Sequence, residues 1–171
     1  HLSARTDGPR VEVFADELAH RHEHSIELQV LLLQHLLGNR RPFKIVPVLV
    51  GSFHEFVRAR TEPNGQTVVS VFVEAMQAAA ANHAGKICYI SSGDLAHTGK
   101  RFGDQWLFDQ QKKVARGEND MQLLAEACKA DTSAFFHHVA KESDESRICG
   151  LPPTYTMMRI MNPTHGELLK Y

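Results

Sequence analysis

The stretch Ser91-Ser92-Gly93-Asp94-Leu95-Ala96-His97-Thr98-Gly99 follows the apolar run Ile87-Cys88-Tyr89-Ile90. This order predicts Asp94 and His97 just beyond a strand, the rim at which open α/β sheets bind ligands. A spacing of three on a helical or tight turn puts a carboxylate and an imidazole on one side, where they can share a proton or a metal. The same residues also fit a plainer role, with Asp94 capping a short helix and His97 in its first turn. Cys149, followed by Gly150 and a predicted helix start, sits at the positive end of a helix dipole, which favours the thiolate that attacks or binds metal. Its alternative is an inert packed thiol. Cys88 and Cys128 are expected to serve packing alone. His20, His22 and His24 alternate, which on an extended segment places them on one side, and Glu27 can orient or supplement His24. The competing reading is a polar approach to a helix N-terminus, with Glu23 and Glu27 favoured by the dipole. Cys149, His97 and Asp94 also supply the nucleophile, base and orienting acid of a cysteine hydrolase. No metal spacing joins the other histidines, and neither a glycine-rich phosphate loop nor a Gly-x-Ser-x-Gly elbow is present.

These groups need elements to hold them. Ser25 to Leu37 is dense in Leu and Val on every face, predicting a largely buried helix ended by Gly38-Asn39 in left-handed geometry. Lys44 to Gly51 is a continuous apolar run, the pattern of a strand covered on both faces, with Pro47 at a bulge or edge. Val68 to Ala81 reads as a helix and Lys86 to Ser91 as a strand, giving a right-handed crossover unit. Asp7-Gly8-Pro9 is a turn signal, and Val11 to Phe14 has strand character. Asp109 to Arg116 reads as a helix broken at Gly117-Glu118-Asn119 and resumed over Met121 to Lys129. Asp131 reads as the N-cap of Thr132 to Lys141. Lys141 to Arg147 is expected to be a solvated link, and Pro153 suits the first turn of a helix over Thr154 to Met161.

With 171 residues and 43% apolar composition, the chain fits one domain with a real core. Nineteen basic residues against twenty acidic ones leave a net charge of −1, no electrostatic footprint for nucleic acid or an anionic membrane. No apolar run approaches the roughly twenty residues of a bilayer span. Three unpaired cysteines fit a reducing cytoplasm. The chain opens at His1 and shows no signal-peptide pattern.

In order, Glu23-His24-Ser25-Ile26-Glu27-Leu28, Val46-Pro47-Val48-Leu49-Val50-Gly51, the Ser91 to Gly99 stretch and Ile148-Cys149-Gly150 resemble the Memo family, whose bacterial and archaeal members are called AmmeMemoRadiSam system protein B. The resemblance covers about residues 10 to 171. It implies a three-layer α/β/α sandwich with a mostly parallel sheet, similar to class III extradiol dioxygenases, formed by a single domain over residues 1–171. It implies a metal pocket with His24 and Cys149 as ligands, and Asp94 and His97 moving protons or orienting substrate. A further family histidine, in a Pro-His-Ala-Gly-Tyr segment, is not in this chain, so the resemblance implies that the N-terminal part of the fold is absent and the site incomplete. Gly93 departs from the family's commoner Ser-Ser-Asp, which is expected to shift Asp94 slightly. Thiolate in place of carboxylate makes the site soft, suiting iron, copper or zinc over magnesium and calcium. The implied role is a metal-binding redox protein of dioxygenase ancestry acting with an AMMECR1-like protein and a radical-SAM protein. The alternative is a non-catalytic module that binds a peptide or small molecule in the vestigial pocket.

Overall fold

The computed structural model describes residues 12–38, 40–65 and 67–171. Among the described residues six α-helices follow in order: α1 (Ser25–Leu37), α2 (His54–Ala59), α3 (Val68–Ala81), α4 (Gln110–Cys128), α5 (Thr132–Lys141) and α6 (Leu151–Met161). Single 3₁₀ segments occupy Glu17–His22 and Lys100–Phe102.

The helix boundaries follow local chemistry. Thr67, Asp109 and Asp131 each accept a backbone N–H three residues on, capping α3, α4 and α5. Pro152 and Pro153 stand in the first turn of α6, where their missing N–H groups cost nothing, so that helix begins three residues earlier than the sequence predicts. The predicted break at Gly117-Glu118-Asn119 does not occur, and α4 runs through it. The reason is tertiary: Leu123 is fully buried and α4 packs on α5, outweighing the roughly 1 kcal/mol that glycine costs a helix. Gly38 keeps right-handed helical angles rather than ending α1 in left-handed ones. Asn39, the Asp7-Gly8-Pro9 turn and Val11 lie outside the described residues, while Glu12 to Phe14 enter a turn and not a strand.

The core is helical. α5 packs against α4, α6 and α2, and α3 lies along α6. Phe135, Phe136, Val139, Leu123, Leu151, Tyr155 and Met158 interlock there with Phe53, Val57 and Ile148. Tyr155 meets Phe53 and Phe136 edge-on, at 5.6 and 5.8 Å. Its hydroxyl donates to Glu62 Oε2 and accepts from Arg159 Nη1, both at 2.9 Å, so its burial leaves no polar atom wanting.

The α/β/α sandwich with a mostly parallel sheet is not formed. Among the described residues there is no strand, and the class is helical. Lys44 to Gly51 and Lys86 to Ser91 carry strand-type sequence, but a strand exists only when a second one pairs its N–H and C=O groups at about 4.8 Å. Neither run makes a backbone–backbone hydrogen bond to another described residue. Their apolar side chains are uncovered as well: Val46 is 78% exposed, and Ile87 and Ile90 are about half exposed. Helix α1, expected to be buried, presents Leu28, Leu31, Leu32 and Leu36 to the outside. Cys88, expected to pack, is likewise exposed. No helix is long and apolar enough to cross a membrane among the described residues.

Candidate functional site

Two glycines in contact let the site form. A Cβ on Gly93 would stand 2.6 Å from Gly150 Cα, and a Cβ on Gly150 would stand 2.9 Å from the Asp94 carbonyl oxygen. Only residues without side chains permit this crossing. It brings the 93–97 turn against the lead-in to α6, where Gly150 N–H donates to the Asp94 carbonyl at 2.9 Å and Asp94 N–H donates to Cys149 Sγ at 3.2 Å. Gly93 and Gly150 together therefore allow Asp94 and Cys149 to touch.

His97 is held from three directions. Its backbone N–H donates to the Ser146 carbonyl at 2.7 Å, its Nδ1 lies 2.8 Å from the Arg147 carbonyl, and its ring stands edge-on to Phe102 at 4.9 Å. A carbonyl oxygen only accepts, so Nδ1 carries the proton and the neutral ring keeps its lone pair on Nε2. Nε2 faces Asp94 Oδ2 at 3.4 Å. Nδ1 is engaged by a carbonyl, and the partners of Cys149 Sγ are the Asp94 backbone N–H and C=O rather than the His97 ring. Among the described residues no hydrogen bond joins Cys149 Sγ to His97, the contact through which a cysteine hydrolase would draw its thiol proton.

Asp94, His97 and Cys149 offer ligating atoms that all lie within 4.8 Å of one another. Four-coordinate metals hold N, O and S donors at about 2.0–2.3 Å, so their donors stand roughly 3.3–3.8 Å apart. The Asp94 side chain is 83% exposed and free to close the difference. The donor set, one oxygen, one imidazole nitrogen and one sulfur, fits a soft or borderline transition metal.

His24 stands outside this cluster. It precedes α1 with its side chain 82% exposed and its Nδ1 3.7 Å from Glu23 Oε1. Glu23 in turn caps α1 by accepting Ser25 N–H at 2.8 Å, which holds its carboxyl below the usual range. The end of α1 nevertheless borders the site, since Ser92 Oγ donates to the Ser25 carbonyl at 3.2 Å and accepts from Gln29 Nε2. His20 and His22 lie in the 3₁₀ segment, whose threefold winding removes the one-sided alternation an extended chain would have given them.

Sequence reasoning missed four residues around the cluster: His54, Asp104, Asp144 and Arg147. Arg147 donates through Nε to the His97 carbonyl at 2.9 Å and through Nη2 to Asp104 Oδ2 at 2.8 Å. Arg147 and the Gly99 N–H together hold the Asp104 carboxyl below its ordinary range. Asp144 accepts Ile148 N–H at 2.9 Å, and burial pushes its carboxyl up. Arg147, Asp144 and Ser143 have φ of 50°, 53° and 54°, left-handed values that L-residues adopt at a cost. The supposed solvated link Lys141 to Arg147 is thus a tightly determined loop, with Ser146 only 1% exposed and its hydroxyl bonded by Arg116. No spacing signal marked Arg147 or Asp104, because Arg147 bonds His97 and Asp104 across 50 and 43 positions of the chain. Beside Cys149 opens a cavity of about 330 Å³ lined by Val50, Phe53, His54, Asp144 and Arg147.

The family model described as Memo-like protein matches residues 5–171. The chain belongs to the Memo-like family. Among curated relatives, this Memo-like chain is 29% identical over 160 residues to a MEMO1 family protein of Methanococcoides burtonii, covering 91% of the chain and 50% of that protein. It is 28% identical over 162 residues to one from Pyrococcus abyssi, covering 91% and 51%. Over a shorter stretch of 89 residues it is 35% identical to one from Archaeoglobus fulgidus, covering 52% and 29%. The Memo-like chain spans about half the length of the first of these relatives. No solved structure matches it.

Proposed function

We propose that this Memo-like chain is a metal-binding redox protein of dioxygenase ancestry, with Asp94, His97 and Cys149 holding iron or copper, zinc being the third candidate. The observation that carries the reading is the convergence of three ligating atoms from two distant segments within 4.8 Å. His97 is prepared for the role: its Nδ1–H on the Arg147 carbonyl fixes the ring and turns the Nε2 lone pair inward, the arrangement by which a second partner orients a metal-bound imidazole. Asp94 N–H donates to Sγ, and Asp94, exposed to water and facing Nε2, can ligate or carry protons between the site and solvent. Iron or copper bound there would supply one-electron transfer, which no side chain of the cluster supplies alone. In this reading the chain works with an AMMECR1-like protein and a radical-SAM protein in a multi-protein modification system.

The test is metal content after anaerobic purification, by elemental analysis. The expected result is close to one metal per chain, lost in Cys149→Ala and His97→Ala and held about 10–100-fold more weakly in Asp94→Asn. Full occupancy in Cys149→Ala would overturn the reading. The cavity beside Cys149 favours a second reading, a binding module for a peptide or small molecule. Under it, both partners are still captured when His24 and Cys149 are replaced by alanine.

A further inference from the structure

We infer that Arg147, braced by Asp104, is the positioning residue that sets the separation of His97 and Cys149; this rests on the metal-site reading above. Arg147 and its neighbour Ser146 make three hydrogen bonds to His97 and grip it at three atoms. The Ser146 carbonyl takes its backbone N–H, the Arg147 carbonyl takes Nδ1, and Arg147 Nε donates to its backbone carbonyl. Arg147 stands two residues before Cys149, so one short segment fixes both the imidazole and the sulfur.

The guanidinium is shared rather than free. While Nε holds the His97 carbonyl, Nη2 holds Asp104 Oδ2, and the same carboxylate oxygen accepts Gly99 N–H at 2.6 Å. Only a planar fork spans a carbonyl and a carboxylate in this way; a lysine ammonium does not. Gly99, at φ +96°, carries the chain into the turn that presents its N–H to Asp104. The Arg147 backbone is itself left-handed, at φ 50°, so the loop departs from its preferred angles in order to aim this carbonyl and this side chain together. Asp144 fixes the other end by capping Ile148 N–H. The arrangement ties 97, 99, 104 and 147 into one unit in which His97 alone belongs to the cluster and the other three border it.

Two variants test the role. Arg147→Gly suits the left-handed backbone and removes only the fork, and Asp104→Asn removes the brace and leaves Arg147 in place. Cobalt(II) is the probe, read by titration and by the thiolate-to-cobalt absorption band. The expected result is an affinity at least ten-fold weaker in both variants, with a diminished band and a cooperative melting transition retained in each. A readout without metal accompanies it: ring ¹⁵N shifts of His97, expected to report the Nδ1–H form in the parent protein and a mixture of the two neutral forms in the variants. Parental affinity and an unmixed ring in Arg147→Gly would overturn the inference. So would loss of the melting transition in that variant, since Arg147 would then act on folding. Failure of the parent protein to bind cobalt would instead count against the metal reading, and the ring shifts would still decide the role of Arg147.

Discussion

Asp104 and Asp120 are two carboxylates of one chain whose surroundings push them in opposite directions. Hydrogen bonds from Arg147 and Gly99 lower Asp104, whereas burial raises Asp120, 5% exposed, although Tyr171 donates to its Oδ2 at 2.9 Å. Its Oδ1 has no partner among the described residues. A depressed carboxyl contributes stability above its unfolded value and loses it as pH falls through the folded one. A raised carboxyl does the reverse: its contribution is present below the unfolded value and lost as pH rises through the folded one. Asp104→Asn is therefore expected to be more destabilising at pH 7 than at pH 3. Asp120→Asn should compare more favourably with the parent at pH 7 than at pH 4. Urea midpoints of the three proteins across that range check both signs. At this scale the sequence displayed Asp94, His97 and Cys149 through residue type and spacing. It could not display Arg147 or Asp104, since a charged residue in a charged run looks solvated until the fold shows what it grips.

Helix α4 records how packing overrides local preference. Gly117 predicts a break, yet α4 continues from Gln110 to Cys128 because Leu123 and Asp120 on its inner face are already committed to the interior. A Cβ at Gly117 would meet only Tyr171 Oη, at 3.8 Å, an ordinary contact. Gly117→Ala is accordingly expected to raise stability by roughly 0.5–1 kcal/mol, measured by urea unfolding. The limits of α1, α3 and α5 were legible residue by residue, because caps and i to i−4 bonds depend only on neighbours in the chain. The two extended runs were legible as strand-type sequence but not as strands, since their pairing lies outside themselves.

Across the whole molecule the apolar surface is unevenly distributed. The core gathers around α5 and α6, while α1 and the runs near Val46 and Ile87 leave large aliphatic side chains in contact with water. Leu32 on α1 is 56% exposed and Leu123 on α4 is fully buried. Leu32→Glu should change stability by no more than about 0.5 kcal/mol, whereas Leu123→Ala should cost about 2–5 kcal/mol. The 171-residue chain is expected to bind a hydrophobic dye while folded, and Leu32→Glu to weaken that fluorescence. Equal losses of stability in the two variants would show that α1 is covered after all.

The sequence by itself determined the family, most helix limits and the order of the chemistry-bearing residues, because these rest on side-chain type and on contacts a few positions apart. Only the tertiary structure decided that a helical core forms with its extended runs unpaired, and that Asp94, His97 and Cys149 share one corner with Arg147 behind them. Those outcomes depend on which backbones come close enough to touch, and here that turned on two opposed glycines and on a loop bent into left-handed angles.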